Sequence, residues 1–164
     1  MTMAWLVGMI CLVSTQAAPP RAPADFSGTW TMTSLVPAPK QAAGGSVALP
    51  PSDELLRQTP NSLAIERTYF DQVNTQTFTF DGAENTNKSG ATVFVSRTRW
   101  VGGKLITEGK KSQVTSQGYD EWTVKETRSL NAAGLMIVET EYVGRDGTVT
   151  ASTRQYTRRP ARGR

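Results

Sequence analysis

Histidine is absent from this 164-residue chain and cysteine occurs once. The first absence excludes Ser-His-Asp and Cys-His nucleophiles, histidine metal sites and histidine pH switches. The lone thiol, Cys11, has no partner for an internal disulfide. Proline is missing from Asn61 to Arg159: eight of the nine prolines lie between Pro19 and Pro60, and the ninth is Pro160. Proline cannot donate to a sheet ladder, so strands can pair through that span without interruption. Charge is missing from residues 1–17, which hold no Asp, Glu, Lys or Arg, so the formal net charge of +4 belongs to the remainder. What is left is 38% hydrophobic and 20% charged, the composition and length of one globular domain.

Ala4 to Val13 form an almost unbroken apolar run, and Thr15-Gln16-Ala17 follows with small residues at the two positions a signal peptidase reads. This pattern predicts a secretory signal over 1–17 and a Pro/Ala-rich spacer over 18–24, hence a secreted or periplasmic protein. A buried element of the mature fold is the alternative. The run is shorter than the about 20 apolar residues of a membrane-spanning helix, so no transmembrane span is expected. Cleavage after Ala17 would remove Cys11. At the other end Arg154, Arg158, Arg159, Arg162 and Arg164 crowd together. Only Tyr156 interleaves them, which favours a solvated basic tail over 159–164 and no specific nucleic-acid site.

Blocks rich in Val, Ile, Thr, Phe, Tyr and Trp recur at Ser62–Phe70, Thr75–Phe80, Ala91–Trp100, Lys104–Glu108, Tyr119–Leu130, Leu135–Val143 and Thr148–Thr157. Turn signals separate them, among them Asp81-Gly82, Gly102-Gly103, Asn131 to Gly134 and Arg145-Asp146-Gly147. Trp122, Val124, Glu126 and Arg128 alternate with polar neighbours, as do Met136, Val138, Thr140 and Tyr142. Period two over such lengths means strands with one covered face. The connections are too short for parallel crossovers, so successive strands must be antiparallel neighbours. With Phe26–Leu35 added, the expectation is an all-β, eight-stranded up-and-down barrel over 25–158. From Pro37 to Pro60 no strand pattern is visible, and Ser52 with the following Asp-Glu-Leu-Leu-Arg-Gln suggests one or two capped helical turns in a long loop.

Gly28-Thr29-Trp30, opening the first strand of an exported meander, resembles the lipocalins and the wider calycins. A second resemblance, over about residues 25–158, is to a group of small secreted bacterial proteins with a lipocalin-like domain. It rests on Ser27-Gly28-Thr29-Trp30, Asp81-Gly82-Ala83-Glu84-Asn85-Thr86-Asn87, Trp100-Val101-Gly102-Gly103-Lys104-Leu105 and Tyr156-Thr157-Arg158. The resemblance implies that Trp30, beside Gly28, plugs the closed end, with Arg158 or Arg154 stacked across it.

The remaining chemistry is sparse. Glu139 and Glu141 share a strand face opposite Met136, Val138 and Tyr142, which puts them in solvent, and Asp120 and Glu121 point to opposite faces. The Asp81–Asn87 segment has closely spaced oxygens but not the pattern of a calcium loop, so a hydrated hairpin is expected and no metal or other cofactor. Glu126 and Arg128 lie in phase with Trp122 and Val124. They are the foremost polar candidates for the barrel interior, either paired with each other or orienting a ligand, with Tyr142 and Trp122 beside them. Arg97 and Arg99 fall out of phase with Thr98 and Trp100. The inward set Trp100, Trp122, Met136, Tyr142, Thr98, Thr140 and Ala151 would leave a cup if its large members sat at the closed end. Two functions follow. One is a non-enzymatic exported binding protein for a small hydrophobic or amphipathic molecule. The other is a structural or interaction protein, with an envelope partner or as an enzyme inhibitor, whose barrel core is solid. The volume of the interior separates them.

Overall fold

The computed structural model describes residues 23–37, 53–69, 71–116 and 118–160. The expected signal, Cys11, most of the spacer, much of the 37–60 loop and residues 161–164 lie outside them. The described chain forms ten strands: β1 (Gly28–Val36), β2 (Asp53–Gln58), β3 (Ser62–Tyr69), β4 (Gln72–Thr79), β5 (Glu84–Ser89), β6 (Thr92–Val101), β7 (Lys104–Thr115), β8 (Gly118–Leu130), β9 (Met136–Gly144) and β10 (Val149–Arg158). They make one antiparallel sheet in the order β4-β3-β2-β1-β10-β9-β8-β7-β6-β5. Every neighbour is a sequence neighbour except β1 and β10, whose pairing joins the two ends of the chain.

The meander is therefore as expected, but the strand number is ten and not eight. One addition is β2, which replaces the expected helical turns at Ser52–Gln58. Glu54 and Leu56 alternate inward here against Arg67 and Ile65 of β3, and that sheet face outweighs any local capping. The other is β5, which replaces most of the expected Asp81–Asn87 hairpin. The Asp81 carboxylate is engaged within its own turn, accepting from Ala83 N at 2.9 Å and Thr79 Oγ1 at 2.8 Å. Strand β7 also continues well past Glu108. Its Gly109 is required by close approach: a Cβ there would stand 2.1 Å from the Val95 carbonyl oxygen on β6.

The sheet curls so that its edges, β4 and β5, meet. Among the described residues no backbone ladder joins them. Instead the Asn87 amide pairs with Thr77 of β4, accepting from its N–H at 2.8 Å and donating to its carbonyl at 2.9 Å. Asn85 accepts from Thr79 N at 2.9 Å and donates to Thr79 Oγ1 at 2.9 Å. Two side-chain amides thus do what a strand backbone would do and satisfy edge groups that would otherwise be left open.

One end of the barrel is filled. Trp30 and Phe26 are fully buried, and Trp30 Nε1 donates to the Phe26 carbonyl at 2.8 Å. Phe26 stacks on Trp100 at 5.7 Å, and Phe80 meets the same indole edge-on at 5.6 Å. The Arg158 guanidinium lies 4.7 Å from the centre of the Trp30 ring and donates to the Asp25 carbonyl. Gly28 is called for by its backbone, at φ +119°, rather than by space, since a Cβ there would only make ordinary contact with Arg158 Cγ at 3.7 Å. Met136, Val138, Leu56, Leu63, Ile65 and Leu105 complete this core. Glu139 and Glu141 are exposed on the outer face. Ala151 is also outside, opposite Glu141, because the inward phase of β10 is carried by Ser152, Arg154 and Tyr156.

Candidate ligand-binding site

Halfway up the barrel the inward positions change from apolar to charged. Glu54 of β2 accepts from Arg67 Nε at 2.9 Å, from Arg128 Nη1 at 3.3 Å and from the Tyr156 hydroxyl at 2.9 Å. Arg128 donates from Nη2 to Glu126 at 2.9 Å, and Arg154 reaches the other oxygen of Glu126 at 2.9 Å. The outcome is an alternating chain, Arg67–Glu54–Arg128–Glu126–Arg154, running across the barrel from β3 to β10. Its members are locked further by Gln76, which accepts from Arg67 at 2.8 Å, and by Thr140, which accepts from Arg154 at 3.0 Å. Buried charges persist only when paired and hydrogen-bonded, and here each one is. Burial would push the Glu126 carboxyl up, but the guanidiniums of Arg128, Arg154 and Arg67 hold it at about 2. Glu54 is likewise held below its ordinary value against burial, by Arg67 and Arg128. The Tyr156 hydroxyl is pushed up by burial and by Glu54, so it stays a donor.

Above this chain the barrel is hollow. An inner cavity of about 190 Å³ is bounded by Arg67, Tyr69, Gln76, Phe78, Phe94, Thr107, Lys111, Val124, Glu126, Tyr142 and Arg154. An open vestibule of about 690 Å³ lies beyond it, lined by Lys111, Gln113, Trp122, Tyr142, Thr148 and Thr150 among others. Lys111 and Tyr142 belong to both walls and form the neck between them. Of these two spaces the vestibule is the one that falls within the size range of small-molecule sites, about 300–1,000 Å³.

Of the residues singled out in the sequence, Trp122 and Tyr142 stand at the vestibule and Glu126 faces the inner cavity. Arg128 is only 2% exposed, lies behind Glu126 and lines neither space. The expected cup has a different shape. Trp100 and Met136 do fill the closed end, but Trp122 and Tyr142 are at the open one. Arg154, expected either at the plug or among the tail arginines, instead enters the interior. Arg97 and Arg99 are outside, paired with Glu84 and Glu108. Sequence reasoning missed Glu54, Arg67, Lys111 and Arg154 as interior groups. The signal was phase: Arg67 follows Leu63 and Ile65 at period two, and Arg154 precedes Tyr156 by two.

No family model matches the chain, and no curated protein does. Among solved structures, the REP1-NXSQ fatty acid transporter superposes with a TM-score of 0.58 at 14% identity, over 82% of this chain and 96% of that one. Apo lipid binding protein 8 of Caenorhabditis elegans gives 0.55 at 11% identity, over 82% and 95%. The fold is a ten-stranded antiparallel meander barrel, similar to those two structures. The eight-stranded lipocalin-like barrel expected from the strand blocks and the motif resemblance is corrected to this ten-stranded one. Among the described residues no helix is long and apolar enough to cross a membrane.

Proposed function

We propose that the protein is an exported, non-enzymatic carrier of a small amphipathic molecule, held in the vestibule against Trp122 and Tyr142. The observation that carries this reading is the hollow upper barrel, an open space of about 690 Å³ leading to an inner one of about 190 Å³, above a plug of fully packed side chains. The two similar structures, a fatty acid transporter and a lipid binding protein, support it through the fold. Export rests on the apolar run at Ala4–Val13 and on Thr15-Gln16-Ala17. In this reading Glu126 borders the ligand, and Arg128 holds Glu126 in place without touching the ligand.

Native mass spectrometry of protein from its own host tests both parts in one spectrum. The expected mass lacks residues 1–17 and carries an adduct that is lost on denaturation and absent in Trp122→Ala. An intact Met1 in soluble material would remove the export claim. An adduct-free spectrum, together with no uptake of an amphipathic fluorescent probe, would leave the interaction-protein reading in its place.

A further inference from the structure

The interior charges do not balance. Arg67, Arg128, Arg154 and Lys111 face two carboxylates, Glu54 and Glu126. The three guanidiniums are all engaged with those carboxylates. Lys111 is different: among the described residues no carboxylate forms an ion pair with its ammonium, whose nearest described interaction is the Tyr142 ring at 5.9 Å. It lies on β7 between Phe94 of β6 and Trp122 of β8, both apolar neighbours. Its position is also singular. The inner cavity, the vestibule and a third space of about 140 Å³ beneath the β4–β5 seam all have Lys111 in their walls. Burial and the neighbouring Arg67 press its proton affinity down, partly offset by Glu126. An ammonium held this way is short of a counter-ion, and a ligand oxyanion would supply one.

Resting on the carrier reading, we propose that Lys111 is the headgroup anchor, so that the ligand is an amphipathic monoanion whose oxyanion sits at the neck with its apolar body in the vestibule. The arginines are excluded from that role because Glu54 and Glu126 already occupy the positions a ligand anion would take on them. Placing the body outward follows from the walls. The inner cavity holds Phe78, Phe94 and Val124 but is only about 190 Å³ and is shared with Arg67, Gln76, Glu126 and Arg154, whereas the vestibule of about 690 Å³ has room for the body beside Trp122. The two vestibule carboxylates, Asp120 and Asp146, are exposed, and Asp146 is engaged with Thr148 at 2.8 Å. The rim also carries one cation, Arg145, which is exposed to solvent, so its pull on an anion is screened and two carboxylates oppose it, whereas Lys111 at the neck is partly desolvated. This leaves the neck as the anion's place.

Isothermal titration of the full-length protein with decanoate, decyl sulfate and decanol tests this, at low salt and below micelle formation. Both anions should bind about tenfold or more tightly than decanol, the effect of one partly desolvated ion pair. Lys111→Met should bring them to the affinity of decanol while decanol itself is unchanged, and Lys111→Arg should restore the preference. The ranking of the two anions separates a carboxylate headgroup from a tetrahedral one. Binding of all three with no preference, or a preference that survives Lys111→Met in a folded variant, would overturn the Lys111 assignment and leave the carrier reading standing. Binding of none would overturn the carrier reading itself, and the anchor with it.

Discussion

At the scale of single residues, Trp30 and Arg128 show two ways of filling a barrel. Trp30 is buried on all sides, satisfies its one donor on Phe26 and carries the Arg158 guanidinium on its face. Trp30→Ala should therefore cost about 3–5 kcal/mol in a denaturant melt, the usual range for a large buried aromatic, and a change within about 0.5 kcal/mol would contradict the plug. Arg158→Ala should cost far less, because its side chain is exposed. Arg128 is almost as buried as Trp30 but is held by polar contacts, between Glu54 and Glu126 and with Nη1 donating to Met136 Sδ at 3.2 Å. This difference marks what the sequence could disclose. A Gly-x-Trp at the head of the first strand signals a plug by itself. A buried arginine is visible only through its phase, and its partner Glu54 lies 74 residues away on a strand that the sequence does not reveal.

At the scale of elements, the strands that escaped sequence reading share a cause. Asp53–Gln58 and Glu84–Ser89 are short and lie among Pro, Ser, Asp or Gly, so the first reads as capped helical turns and most of the second as a hydrated hairpin. Both are strands because neighbouring strands supply ladders and a common inner face. The polar residues of β5 are also its function in the fold, since an asparagine can close a seam that valine could not. Asn87→Ala should leave the Thr77 N–H and carbonyl without their partner, at a cost of about 2 kcal/mol. Hydrogen exchange locates the effect: the Thr77 amide should lose protection while amides on β8 and β9 change only by the global loss of stability. Unchanged protection at Thr77 would mean that the seam is held by something other than Asn87. The long strands β6, β8 and β9 are legible because buried positions recur in phase along them: Phe94, Ser96 and Thr98, then Val124 and Arg128, then Met136, Val138 and Thr140.

At the scale of the whole molecule, the barrel is pinned by an ionic chain that crosses it and includes groups from β2, β3, β8 and β10. Acid should therefore weaken the fold as a unit. Glu126 has a folded value of about 2 against an ordinary 4.5. A carboxyl whose folded value lies below its unfolded one binds fewer protons when folded, so it contributes stability that is complete above about pH 4.5 and is lost as pH falls toward 2. The difference corresponds to about 3 kcal/mol. Glu54, also held down, adds in the same direction. Surface carboxyls such as Asp81, Glu108 and Asp146 are lowered too, so a melt of the wild type alone cannot single out the chain. Comparison with Glu126→Gln can. That variant leaves Arg128 and Arg154 short of an anion and should be less stable at pH 7 by about 3 kcal/mol. Its stability should then fall less steeply with acid, so that urea melts at pH 7, 4 and 2.5 show the two proteins converging at the lowest pH. Parallel curves, with a constant gap at every pH, would mean that the Glu126 carboxyl is not held down by the guanidiniums around it, and that the chain across the barrel contributes packing rather than charge.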